Sequence, residues 1–132
     1  MLTQYPSMFG AIVVQVPLLD MKRYSHLLAG ASWMAEYGDP DTADWPFIKD
    51  FSPYHLFDAK KDYPATLFTT STKDDRVHPA HARQMMALME AAGKDVRYYE
   101  NIDGGHGGAA NNAQSAHMNA LAYTFLWQQL AK

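Results

Sequence analysis

Three short stretches of the chain are apolar enough to form strands, and each is bounded by polar or turn-forming residues. The first, Gly10-Ala11-Ile12-Val13-Val14-Gln15-Val16, is almost wholly apolar and β-branched and stops at Pro17. A run without polar alternation predicts a strand covered on both faces, as in a parallel sheet. The second, Ala65-Thr66-Leu67-Phe68-Thr69-Thr70-Ser71, follows Tyr63-Pro64, and the third is Val96-Arg97-Tyr98-Tyr99-Glu100-Asn101. Between them, Ala82, Met85, Met86, Met89 and Ala92 recur at three- and four-residue steps, the spacing of one apolar helix face. Pro79 suits the first position of that helix and Gly93 its left-handed stop. The methionines read as a core stripe rather than as a pliable binding surface. A last helix is predicted over residues 113–130. Its Ala116, Ala120, Tyr123, Trp127 and Leu130 share one face, which the same logic assigns to the core.

Strand, helix, strand, helix in that order predicts an α/β fold with a parallel sheet of about three strands and flanking helices. Residues 18–62 differ: they hold three prolines, several aspartates, Trp33 and Trp45, with short helical stretches around 21–28 and 32–37. This is a long excursion at the open end of the sheet, where α/β proteins place their ligands. With 132 residues the chain amounts to one domain, 1–132, and 48% hydrophobic residues suffice for a packed core. Eleven Lys and Arg scattered through a chain of net charge −3 give no basic face for nucleic acid. No apolar run approaches the roughly 18–20 residues that span a bilayer, and no signal peptide opens the sequence, so the compartment stays undetermined. The absence of cysteine removes disulfides, thiolate metal sites and a cysteine nucleophile together.

Candidate chemistry lies in two loops. Ser71-Thr72-Lys73-Asp74-Asp75-Arg76-Val77-His78-Pro79 follows the second strand, and Asp103-Gly104-Gly105-His106-Gly107-Gly108 follows the third. An acid and a histidine leaving the carboxyl ends of adjacent parallel strands can meet above the sheet. A carboxylate there would fix the imidazole tautomer and stabilise its charged form, as a general base requires. The plainer reading makes the aspartates turn caps and the glycines a flexible loop, and spacing alone does not choose. Metal binding by His78, His81 and Asp74 or Asp75 lacks a His-x-x-x-His pair and a further acidic ligand, so both histidines read as surface groups at a helix start. Asp39, Asp41 and Asp44 lack the glycine and closing glutamate of a calcium loop and read as turn caps. His26, His55 and His117 have no evident partner, and no cofactor is called for.

The order Asp74-Asp75-Arg76-Val77, helix, Gly104-Gly105-His106-Gly107 resembles the end of the prolyl oligopeptidase family of serine peptidases. The likeness extends upstream through Pro17-Leu18-Leu19-Asp20-Met21, Tyr37-Gly38-Asp39-Pro40 and Phe51-Ser52-Pro53-Tyr54-His55, so it covers nearly the whole chain. It implies the C-terminal portion of an α/β-hydrolase fold and a short-peptide substrate, with cleavage after proline as one option. By the same likeness, Asp74 is the triad acid, His106 the general base, and Arg76 a substrate-binding arginine. Counting back from Ser52-Pro53, the family's proline-stacking ring falls on Phe47, with Trp45 two residues earlier. An esterase with the same triad is the weaker match.

In α/β-hydrolases the serine precedes the acid and histidine on a Gly-x-Ser-x-Gly elbow. No such elbow occurs, and Gly30-Ala31-Ser32-Trp33-Met34 comes nearest. The expectation is that the chain begins just after its nucleophile, supplies acid and base only, and is inactive alone. The rival expectation is a truncated half-domain acting in assembly or binding. Either way, the first strand would leave an apolar edge open and favour a homo-oligomer.

Overall fold

The computed structural model describes residues 1–131. Strands β1 (Ala11–Gln15), β2 (Ala65–Ser71) and β3 (Val96–Asn101) form one parallel sheet in the order β1-β2-β3. Ala11 pairs with Ala65, and Ser71 pairs with Asn101 at the carboxyl ends of β2 and β3. Helices α1 (Met34–Tyr37), α2 (Trp45–Lys49) and α3 (Pro53–Leu56) lie in the excursion between β1 and β2, joined by short 3₁₀ turns. Helix α4 (Ala80–Ala91) links β2 to β3, and α5 (Asn112–Leu130) closes the chain. Both crossovers are long enough for parallel pairing, and the fold is the predicted α/β sheet.

β2 is the central strand and is buried from Thr66 to Ser71. Phe68 packs with Leu19, Met85 and Met89, each such side chain contributing about 2 kcal/mol on burial. Pro79 stands one residue before α4 instead of at its first position, and Gly93 adopts φ +71° just beyond the helix, the left-handed exit that favours glycine. A second cluster in the excursion joins Met21, Tyr24 and Ile48, with Trp33, Tyr37, Trp45 and Phe51 packed against it. There the chain doubles back so tightly that a Cβ on Gly30 would lie 1.7 Å from the Tyr24 carbonyl oxygen. Asp39 and Asp44 cap turns, accepting the N–H groups of Asp41 and Asp39 at 2.9 and 3.1 Å.

Three expectations are corrected. β1 is not covered on both faces: it is an edge strand, half-buried from Ala11 to Val14. On α5 the buried residues are Met118, Ala122 and Phe125, while Tyr123, Trp127 and Leu130 are 72, 74 and 57% exposed. Apolar residues run almost all round that helix, so spacing alone could not choose its inner face. His81 is buried rather than at the surface, because its place on α4 is one step before Ala82 on the core side.

Candidate active site

The loop after β2 turns on Asp74. Its Oδ1 accepts the backbone N–H groups of Arg76 and Val77 at 2.8 and 2.9 Å, an aspartate-capped turn that starts the approach to α4. The side chain is wholly buried. The loop after β3 brings His106 to it, with Nδ1 at 3.1 Å from each carboxylate oxygen. A carboxylate only accepts, so Nδ1 carries the proton and Nε2 keeps its lone pair. The His106 side chain is 39% exposed, which leaves that lone pair open to a reacting group. The two sequence candidates therefore meet in the geometry of an oriented general base.

Backbone bonds hold the loops in register: Thr72 N–H to the Asn101 carbonyl at 2.9 Å and Lys73 N–H to that of Gly104 at 3.2 Å. Beside them, Glu100 accepts from Arg83, Thr72 and Tyr98. The Arg83 guanidinium, against the cost of burial, pulls the Glu100 carboxyl down to about 2.

His106 opens onto a cavity of about 530 Å³ lined by Leu18, Ala29, Ser32, Trp33, Glu36, Tyr37, Arg76 and Val77. Arg76 ties its two walls together, its carbonyl accepting the Ala29 N–H at 3.3 Å while its side chain stays exposed. Leu28, just before Ala29, holds φ +52°, an uncommon conformation for a residue with a Cβ. Trp45 and Phe47 do not line this cavity. Trp45 lies edge-on to His55 at 4.9 Å, and Phe47 is 68% exposed against Phe51. The aromatic walls are Trp33 and Tyr37, which the sequence reading passed over. Their signal was available: two rings four residues apart around a short helix, ahead of the Gly38 turn.

Two serines come into question as nucleophiles. Ser32 lines the cavity, but its hydroxyl donates to the Ala29 carbonyl at 2.6 Å on a 3₁₀ turn, with no strand leading into it. Ser52 lies 2.8 Å from His55 Nδ1 yet is wholly buried, accepting the Met21 N–H at 3.1 Å. His55 and His81 flank a second buried aspartate, Asp20. Asp20 accepts from Lys22 and Arg23 N–H and pairs with the Arg23 guanidinium, while its own N–H donates to His81 Nδ1 at 3.1 Å. Burial lowers the pKa of His55 and holds that of His81 at about 4. Of the histidines without an evident partner, His26 pairs with Asp41 and His117 packs on Tyr99. Among the described residues no three His, Cys, Asp or Glu side chains converge as metal ligands would, and no helix is long and apolar enough to cross a membrane.

A parallel sheet with an acid and a histidine at the ends of neighbouring strands is the layout in which α/β-hydrolases carry their acid and base. The prolyl oligopeptidase family model matches residues 1–132, and the chain belongs to that family. A peptidase of Sinorhizobium fredii is 51% identical over 128 residues, covering 96% of this chain and 18% of its own length. The prolyl endopeptidase of Elizabethkingia miricola is 32% identical over 129 residues, covering 94% and 18%. Among solved structures, a post-proline cleaving enzyme from Rickettsia typhi superposes with a TM-score of 0.89 at 38% identity, over 98% of this chain and 19% of that one. The chain thus spans about a fifth of the length of the relatives it matches.

Proposed function

We propose that these residues furnish the acid, the general base and the substrate pocket of a serine peptidase that cleaves peptides after proline. The observation that carries this reading is the Asp74–His106 pair opening onto an aromatic cavity shared with Arg76. In the reaction, His106 Nε2 takes the proton from a serine hydroxyl as it attacks the scissile carbonyl, then returns it to the leaving amine. Asp74 fixes the imidazole and stabilises its cationic form. The exposed Arg76 guanidinium donates to a substrate carbonyl near the scissile bond. The names of the relatives support proline as the residue before that bond, and Trp33 with Tyr37 offers flat apolar walls to its ring. This puts the pocket on Trp33 in place of Phe47 and Trp45.

The serine itself is to be supplied by polypeptide outside these 132 residues, so this chain alone is proposed to be inactive. A fluorophosphonate serine-hydrolase probe tests this. The isolated chain is expected to stay unlabelled, and stoichiometric labelling of Ser32 or any other serine overturns the division of the triad. In a longer protein that carries the nucleophile, Trp33→Ala is expected to lower kcat/KM on a proline substrate about 10–100-fold. Trp45→Ala and Phe47→Ala should leave it within about twofold, and the reverse pattern would restore the original placement.

A second reading rests on β1. Its outer edge has no strand partner among the described residues, and beside it runs an apolar groove of about 350 Å³ lined by Leu2, Ile12, Val14, Leu19, Pro53 and Met85. Such an edge recruits another strand, and in the isolated chain the available one is a second copy. Light scattering is expected to give a dimer or larger species; a monodisperse 14.8 kDa monomer at high concentration would exclude this reading.

A further inference from the structure

Asn101, the last residue of β3, is buried, yet every polar atom of its side chain is engaged. Its Nδ2 donates to the Gly108 carbonyl and to Gln114 Oε1, both at 2.9 Å, and its Oδ1 accepts the Asp103 N–H at 3.1 Å. These partners lie on both sides of His106, so one side chain spans the glycine loop that carries the imidazole. Gln114 extends the grip, its Oε1 also accepting the Ala110 N–H at 2.8 Å. The closure is tight: a Cβ on Gly104 would lie 2.6 Å from the Gly108 carbonyl oxygen and 2.9 Å from Asn101 Nδ2. The Asn101 carbonyl meanwhile accepts the Thr72 N–H at 2.9 Å, two residues before Asp74.

We propose that Asn101 is the positioning residue of the acid–base pair, its backbone anchoring the Asp74 loop and its side chain clasping the His106 loop. The inference rests on the reading of Asp74–His106 as that pair. Physically, the loop has four glycines among its six residues from 103 to 108, and glycine loses more backbone entropy on ordering than any other residue. Left to itself such a loop would sample many positions of the imidazole, few within 3 Å or so of a buried carboxylate. Three hydrogen bonds to one buried amide restrict that sampling without any group near the substrate. Positioning of this kind preserves a near-attack geometry that small displacements destroy.

The test follows the His106 Nδ1–H proton by NMR in this chain, where no peptidase activity is needed. In the unmodified chain, its bond to Asp74 is expected to give a downfield, slowly exchanging signal well below the melting temperature. In Asn101→Ala that proton should exchange at least about tenfold faster, the equivalent of one hydrogen bond lost, in a protein that still shows dispersed core resonances. Gln114→Ala, which removes one arm of the clasp, should give a smaller increase. Gln114→Glu, whose carboxylate still accepts from Asn101 and Ala110, should give none. A signal unchanged in a folded Asn101→Ala protein overturns the inference while leaving the acid–base pair intact. Absence of the signal from the unmodified chain sinks both. If Asn101→Ala does not fold, Gln114→Ala decides, and an exchange rate there equal to that of the unmodified chain counts against Asn101.

Discussion

The chain contains two buried aspartates with histidines beside them, and the two settings are built differently. Asp74 and Asp20 are equally inaccessible, and each caps a turn by accepting two backbone N–H groups. They differ in what completes them. Asp20 meets the Arg23 guanidinium, and burial lowers the pKa of both its histidines, His55 and His81. Asp74 meets no guanidinium; its remaining bonds go to His106, whose far nitrogen faces an open cavity. Proximity of Asp and His is therefore not the mark of chemistry. What matters is an imidazole held on one side and accessible on the other.

The sharpest way to break the comparison is to neutralise each carboxylate. Asp74→Asn keeps an oxygen for the Arg76 and Val77 N–H groups but turns the imidazole toward the wrong tautomer. In a protein that supplies the serine, kcat should fall on the order of 10⁴-fold, with stability changed by no more than about 1 kcal/mol. Asp20→Ala should do the opposite. It strands two backbone N–H groups, and the exposed Arg23 guanidinium, whose pKa is raised by its hydrogen bond to Asp20, turns to water. Denaturant unfolding should show a loss of about 2–4 kcal/mol, while kcat/KM of the surviving folded fraction stays near that of the parent. If Asp20→Ala instead abolished turnover at full stability, the two sites would have exchanged roles.

How far the sequence revealed this contrast depended on the kind of signal. All three strands and α4 were legible because their patterns are local: β2 and β3 match the expected spans residue for residue. The Asp74–His106 meeting was legible because strand ends in a parallel sheet converge, whichever side chains pack beneath. The inner face of α5 was not, since apolar residues surround it and only the sheet decides which of them it covers. Nor was the lining of the cavity beside His106: a fixed count back from Ser52-Pro53 cannot see that the chain folds over Gly30 and brings Trp33 and Arg76 into the walls of one cavity. His81 was misread for a related reason, as a histidine at a helix start is usually wet, and only the Leu18–Asp20 segment lying across α4 makes it dry.

His81 supplies the subtlest test, because its burial beside Asp20 can be read by pH alone. Its Nδ1 is occupied as an acceptor for the Asp20 N–H, so protonation removes that bond and buries a charge. Burial, partly offset by the Asp20 carboxylate, holds its pKa at about 4 against about 6.5 in the unfolded chain. Between those values the unfolded chain binds a proton that the folded one refuses, so stability falls as pH drops through this window. The deficit should be about 2 kcal/mol at pH 5 and approach 3 kcal/mol near pH 4. Glu100 acts in a lower window, from about 4.5, where its carboxyl titrates in the unfolded chain, down to about 2, where it titrates in the fold. Urea unfolding at pH 7, 6 and 5 on the parent and on His81→Gln isolates the effect. The variant should start less stable at pH 7, having lost a well-packed ring, but lose about 2 kcal/mol less on going to pH 5. Equal slopes for the two proteins would mean that His81 takes up its proton as readily in the fold as in the unfolded chain, and that burial beside Asp20 does not depress its pKa.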